Sequence, residues 1–198
     1  MKQATLLFVS VAIASFAFAH PGVNNYSAKN HGDSSLVKTA MMKDMLSQVL
    51  DVIGVNENFE LKEANVLNIE AKISHRKRYI LYNPAYITSL NNTTKDKWSV
   101  LALLAHEIGH HINGHTVRKG GSKPELELEA DEFAGFVLFR LGATLKQSQN
   151  VMFYIARTEA SKTHPSRNSR LLAIEKGWKK AADPNAPSFT ANDQLQGF

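Results

Sequence analysis

The sequence predicts an α+β fold, mostly helical, with one small sheet ahead of its longest helix. Three observations carry this. Apolar residues recur at helical spacing over Leu36 to Ile53 and again over Lys95 to Asn113. Two short β-prone runs, Val66 to Ile73 and Arg78 to Tyr82, lie between those segments. A chain of 198 residues with 43% hydrophobic and 21% charged side chains suits one domain with a core of its own.

Taken in order, the chain opens with Lys2, an apolar stretch from Leu6 to Phe18, and the small-x-small triplet Ala17-Phe18-Ala19. This is the pattern of a secretory signal peptide cut after Ala19, because the stretch falls short of the roughly 20 apolar residues that span a bilayer. The expected division is 1–19 as signal peptide, 20–34 as a flexible leader rich in Asn, Gly and Ser, 35–181 as the folded domain, and 182–198 as a disordered tail with Pro184 and Pro187. The expected location is outside the cytoplasm, periplasmic or secreted, with no transmembrane anchor once the signal is removed.

The first helix, Leu36 to Ile53, stops at Gly54. The two β-prone runs form a hairpin around the basic stretch Ser74 to Lys77, and Asn83-Pro84 ends the second strand. Gly114 caps the long helix Lys95 to Asn113, and a loop follows with Gly120-Gly121. Ser122 and Glu125 have the spacing of a capping box for a helix reaching Leu141. Further helices are expected at Leu145 to Ser161 and Ser166 to Lys180, with Pro165 in a first turn and His164 as N-cap.

Composition removes several functions. The chain has no cysteine, which excludes disulfides, thiolate zinc sites, iron–sulfur clusters and cysteine nucleophiles. The 23 basic and 18 acidic residues leave a net charge of +5, scattered along the chain. Only Arg76-Lys77-Arg78 forms a run, and without interleaved aromatics it is a solvated hairpin tip, so no nucleic-acid partner is expected. Any metal must be held by His, Asp or Glu.

His106-Glu107-Ile108-Gly109-His110 supplies that chemistry. Residues four apart share a helix face, so both imidazoles can reach one zinc ion. Glu107 lies roughly 100° around the helix, where its carboxylate can take a proton from a metal-bound water. A catalytic zinc needs a third protein ligand and an open position. A third His in the metzincin spacing is missing, since Gly114 comes one place late and Thr116 stands at the ligand position. A glutamate from the next helix is the remaining option. Glu127 is favoured over Glu129, because Asp131, four residues on, can then accept the hydrogen bond of a ligand histidine.

His-Glu-Ile-Gly-His followed by Glu-x-x-Ala-Asp resembles the gluzincin zinc metallopeptidases of the HtpX, Ste-type CAAX prenyl endoprotease and BepA family, metallopeptidase family forty-eight. The similarity takes in the strand ending Arg78-Tyr79-Ile80-Leu81-Tyr82-Asn83-Pro84 and the later Thr163-His164-Pro165 with Arg170, about Leu61 to Lys176 in all. It implies a zincin-like metallopeptidase domain over 35–181, a zinc endopeptidase with His106, His110 and Glu127 as ligands and Glu107 as general base. It also implies that His164 and Arg170 approach the site, as an oxyanion donor or a fourth ligand that shields the zinc; the permanently charged Arg170 is expected as the donor and the imidazole of His164 as the mask. Membrane-embedded members of the family have transmembrane helices that this chain lacks after its signal, so the soluble exported members are the closer comparison.

His111 and His115, four apart without an intervening Glu, are taken as flanking residues, and Tyr154 as core. The expected substrate is a protein or peptide laid along an edge strand near Ile80 and Leu81. The alternative is a metal-dependent binding or quality-control module for exported proteins with little proteolysis. The intact Glu107 favours hydrolysis, since a purely structural metal needs no base.

Overall fold

The computed structural model describes residues 31–56, 58–117 and 121–185. The expected signal peptide, most of the leader and nearly all of the tail lie outside the described residues. The chain is α+β and mostly helical, with a three-stranded sheet. Its elements are α1 (His31–Ile53), β1 (Phe59–Glu63), β2 (Ile69–Ser74), β3 (Lys77–Tyr82), α2 (Pro84–Thr94), α3 (Trp98–Ile112), a single 3-10 turn (His115–Val117), α4 (Pro124–Arg140), α5 (Leu145–Ile155) and α6 (Arg167–Ala182). Among the described residues no helix is long and apolar enough to cross a membrane.

The sheet departs from the expected hairpin. β2 and β3 do pair antiparallel, turning at His75 and Arg76 with φ of 49° and 62°. β1 was not foreseen. It pairs parallel with β3, giving the order β1-β3-β2. In β1 only Phe59 is buried, so hydropathy carries almost no signal, and the strand is defined by backbone pairing with residues 19 positions on (Phe59 with Arg78). A consequence is a correction: β3, with Ile80 and Leu81, is the central strand and offers no free edge to a peptide. Among the described residues the edge strands are β1 and β2.

α3 is the core helix. Every residue from Ser99 to Ile112 is buried, including the polar His106, Glu107, His110 and His111, which must therefore find partners inside the molecule. It packs against α4, α5, α1, α2 and strand β2. α4 and α6 make the most extensive helix pair, and their approach is set by two glycines. A methyl group on Gly135 would run into the Ile174 carbonyl, and one on Gly177 into the Glu132 carbonyl.

Other boundaries are corrected by local chemistry. α1 begins at His31, inside the stretch assigned to the leader. The missed helix α2 starts where Asn83 caps it, its side-chain oxygen accepting from the N–H groups of Ala85 (2.9 Å) and Tyr86 (3.3 Å), with Pro84 in the first turn. Lys95, placed in the long helix from sequence, instead closes α2 in a left-handed conformation. The Ser122/Glu125 capping box does not form. Pro124 opens α4, Lys123 is the N-cap without a side-chain bond, and the Ser122 hydroxyl is used elsewhere. α5 ends at Ile155, six residues early, and Tyr154 is exposed rather than core. Ser166, not His164, caps α6 by accepting from Ser169 N–H at 3.2 Å.

Candidate metal centre

His106 and His110 project from one face of α3 toward the first turns of α4, which present Glu127 and Asp131. All four are fully buried. His106 Nε2 and His110 Nε2 are 3.1 Å apart; Glu127 Oε2 lies 3.5 Å from the first and Oε1 3.6 Å from the second. Among the described residues, His106, His110 and Glu127 are the group of three whose ligand atoms gather within 4.8 Å.

Each member is held from behind. The His106 Nδ1–H donates to Asp131 Oδ1 at 2.9 Å. Arg170, from α6, grips the same carboxylate through Nε to Oδ2 and Nη2 to Oδ1, both 2.7 Å. His110 Nδ1 is 3.0 Å from Nδ1 of His115, whose Nε2 is 2.8 Å from Glu129 Oε2. The Ser122 hydroxyl donates to Glu127 Oε1 at 2.5 Å and lies 3.1 Å from the Thr163 carbonyl, tying α4 to the loop before α6.

Glu107 sits beside this group. Its Oε2 accepts from Ala71 N–H, in β2, at 2.6 Å, whereas its Oε1 is buried with no hydrogen-bond partner among the described residues. Burial pushes the Glu107 carboxyl up to about 8, against the pull of His106. Burial opposes ionisation of Glu127 and Asp131 too, but His106, His110 and Arg170 outweigh it at Glu127, and Arg170 and His106 at Asp131, holding both below the usual carboxylate range. At His106 burial is outweighed by Asp131 and Glu127, and the imidazole is raised to about 9. Burial and the charge of His106 drive His110 well below its ordinary value.

The donor set fits a divalent metal. A tetrahedron with bonds of about 2.0–2.1 Å has edges of about 3.3 Å, and the three separations here run from 3.1 to 3.6 Å. Glu127 Oε2 is buried and lacks a hydrogen-bond partner among the described residues, an atom that a cation would satisfy. Two imidazoles and a carboxylate without sulfur suit zinc among several first-row ions.

The remaining predicted residues fall as follows. Glu129, the competing ligand, is half exposed and bonds His115 instead of joining the three. His164 is buried, its Nδ1 2.7 Å from Thr163 Oγ1, and it is not among the three gathered side chains. Burial lowers its pKa, while the charge of Glu127 opposes that. His111 is buried against the sheet, its Nε2–H donating to the Tyr79 carbonyl at 2.9 Å.

Sequence reasoning missed Ala71, Tyr86, His115 and Ser122. Burial raises the Tyr86 hydroxyl to about 12, with the charge of Glu107 adding to it, which places this α2 side chain in the field of the site. His115 had a visible signal in Gly114, whose φ of 68° folds the following 3-10 turn back onto α3. No family model, no curated protein and no solved structure matches this chain.

Proposed function

We propose that this chain is an exported zinc-dependent endopeptidase of the gluzincin type, hydrolysing peptide bonds of proteins. The observation that supports it most is the pairing of a buried His–His–Glu donor set with a second buried carboxylate, Glu107, whose Oε1 has no partner. Metal storage or a structural metal gives no reason to bury a bare carboxylate oxygen there, at the cost that desolvation imposes. A hydrolase does, because the base must meet the attacking water.

His106, His110 and Glu127 would hold the ion. A zinc ion held there would supply Lewis-acid polarisation of the scissile carbonyl and would acidify the attacking water. The rest is work for the chain's own groups. Ala71 N–H fixes one oxygen of Glu107 and leaves Oε1 to take the water proton and return it to the leaving amine nitrogen. Asp131 sets the His106 ring so that Nε2 faces the site, and the Arg170 fork keeps Asp131 ionised and immobile. In this reading Arg170 positions a ligand, since two of its nitrogens are committed to Asp131.

The bond from Ala71 to Glu107 supports β2 as the strand a substrate would join. An N–H of β2 used this way points away from β3, so the outer edge of β2 adjoins the catalytic carboxylate. A peptide extending the sheet at β2 would pass its carbonyls beside Glu107.

The test is casein cleavage by the purified mature chain, with metal content measured alongside. Glu107→Gln should retain a full equivalent of zinc and lose about 10²–10⁴ in rate, the range attributed to general acid–base catalysis. Activity unaffected by chelator, or by Glu107→Gln, would overturn the assignment.

A further inference from the structure

The two histidines of the donor set are backed by unlike partners. His106 rests on the buried Asp131–Arg170 pair, whereas His110 rests on another imidazole, His115, and through it on Glu129, whose side chain is 52% exposed. Which nitrogen each ring offers to the site follows from where the protons must be. A carboxylate accepts only, so His115 carries its proton on Nε2, facing Glu129 Oε2 at 2.8 Å. A neutral His115 then has a lone pair on Nδ1. In that neutral form His110 Nδ1, 3.0 Å away, would donate to it, leaving His110 Nε2 bare toward His106 Nε2 and Glu127.

We propose that His115 and Glu129 are positioning residues for the metal ligand His110: Glu129 fixes the His115 tautomer, and His115 fixes that of His110. This inference rests on the metal reading of the site, and it deepens that reading by assigning the origin of one ligand's lone pair. Without Glu129 the chain of protons can run the other way, with Nδ1–H of His115 donating to His110 Nδ1 and the His110 proton moving to Nε2, where it blocks coordination. Gly114 makes the arrangement possible. Its left-handed φ of 68° folds the 3-10 turn so that His115, five residues after His110, is buried against it.

The experiment uses the full mature chain in two measurements. The first is Co²⁺ and Zn²⁺ affinity, read from the visible Co²⁺ bands and by competition. His115→Leu should weaken both ions by about 10–100-fold, the usual effect of losing a partner behind a ligand. His115→Gln, whose amide oxygen can accept from His110 Nδ1–H, should restore most of the loss. Glu129→Lys, which turns the acceptor into a donor, should weaken binding more than Glu129→Gln. The second is the long-range ¹H–¹⁵N NMR spectrum of the metal-free chain, which reads the His110 tautomer directly. Nδ1–H is expected in the parent and Nε2–H in Glu129→Lys. Unchanged metal affinity in His115→Leu, or an Nε2–H tautomer in the parent, would overturn the proposal. A parent chain that binds neither ion would sink the metal reading, while the tautomer spectrum would still decide the order of the protons.

Discussion

Arg170 and Asp131 form a two-point ion pair inside the molecule, Nε to Oδ2 and Nη2 to Oδ1, both at 2.7 Å, with neither side chain more than 2% exposed. The pair joins α6 to α4 and carries on to His106, so one contact links helix packing to the ligand set. Removing one partner leaves the other charged and buried, which typically costs about 3–5 kcal/mol. Arg170→Met should therefore lower the stability of the metal-free chain by that order in urea unfolding and weaken zinc binding as well. Arg170→Lys, charged but unable to form the fork, should recover only part of the loss. A fully stable, zinc-replete but inactive Arg170→Met would point instead to a direct oxyanion role.

His164 lies near the donor set without being one of the three gathered side chains. It senses the charges of Glu127, Arg170 and Asp131 but bonds Thr163 rather than entering the group of three. His164→Ala should keep one equivalent of zinc with affinity within about threefold of the parent, since no bond to the ion is lost. A tenfold or greater drop in affinity would identify it as a fourth ligand.

His111 predicts an acid limb in stability. Burial drives its folded-state pKa to about 4, against about 6.5 in the unfolded chain. Between these values the unfolded chain binds the extra proton, so stability rises with pH through that window and is lost as pH falls from about 6.5 toward 4. Fully expressed, the effect is about 3 kcal/mol. Urea unfolding at pH 7.5 and 4.5 in excess chelator measures it. The difference between the two pH values should shrink in His111→Gln; an unchanged difference would place the titration elsewhere.

The α4–α6 contact gives a sign test. A helical Gly→Ala exchange normally stabilises by up to about 1 kcal/mol. Gly177→Ala should instead destabilise, by about 1–3 kcal/mol or more, because its methyl group meets the Glu132 backbone carbonyl, which cannot swing aside. Since α6 carries Arg170, zinc affinity should fall with it. A rise in Tm would show that the two helices are free to separate.

Where the chain was readable, the information was local. His106 and His110 share a face because they are four apart on a helix, and Glu127 and Asp131 share one for the same reason. Those periodicities, with Gly114 and Gly142 as stops, were enough for the long helices, the antiparallel hairpin and the three side chains that gather at the centre. Boundaries failed where two local signals competed. Pro124 displaced the Ser122 capping box, and Asn83-Pro84, read as a strand end, was also a helix start.

The sequence by itself determined which residue types could bind a metal and which of them lie on common helix faces, since both are properties of composition and of 3.6 residues per turn. Only the tertiary structure decided what stands behind each of them. Ala71 on Glu107, Arg170 on Asp131, Tyr79 under His111 and β1 beside β3 join residues 19 to 39 positions apart. Such contacts leave no periodic trace in the chain, because they depend on how closely whole helices approach, which here is set by Gly135 and Gly177, and on where buried donors find acceptors once water is gone.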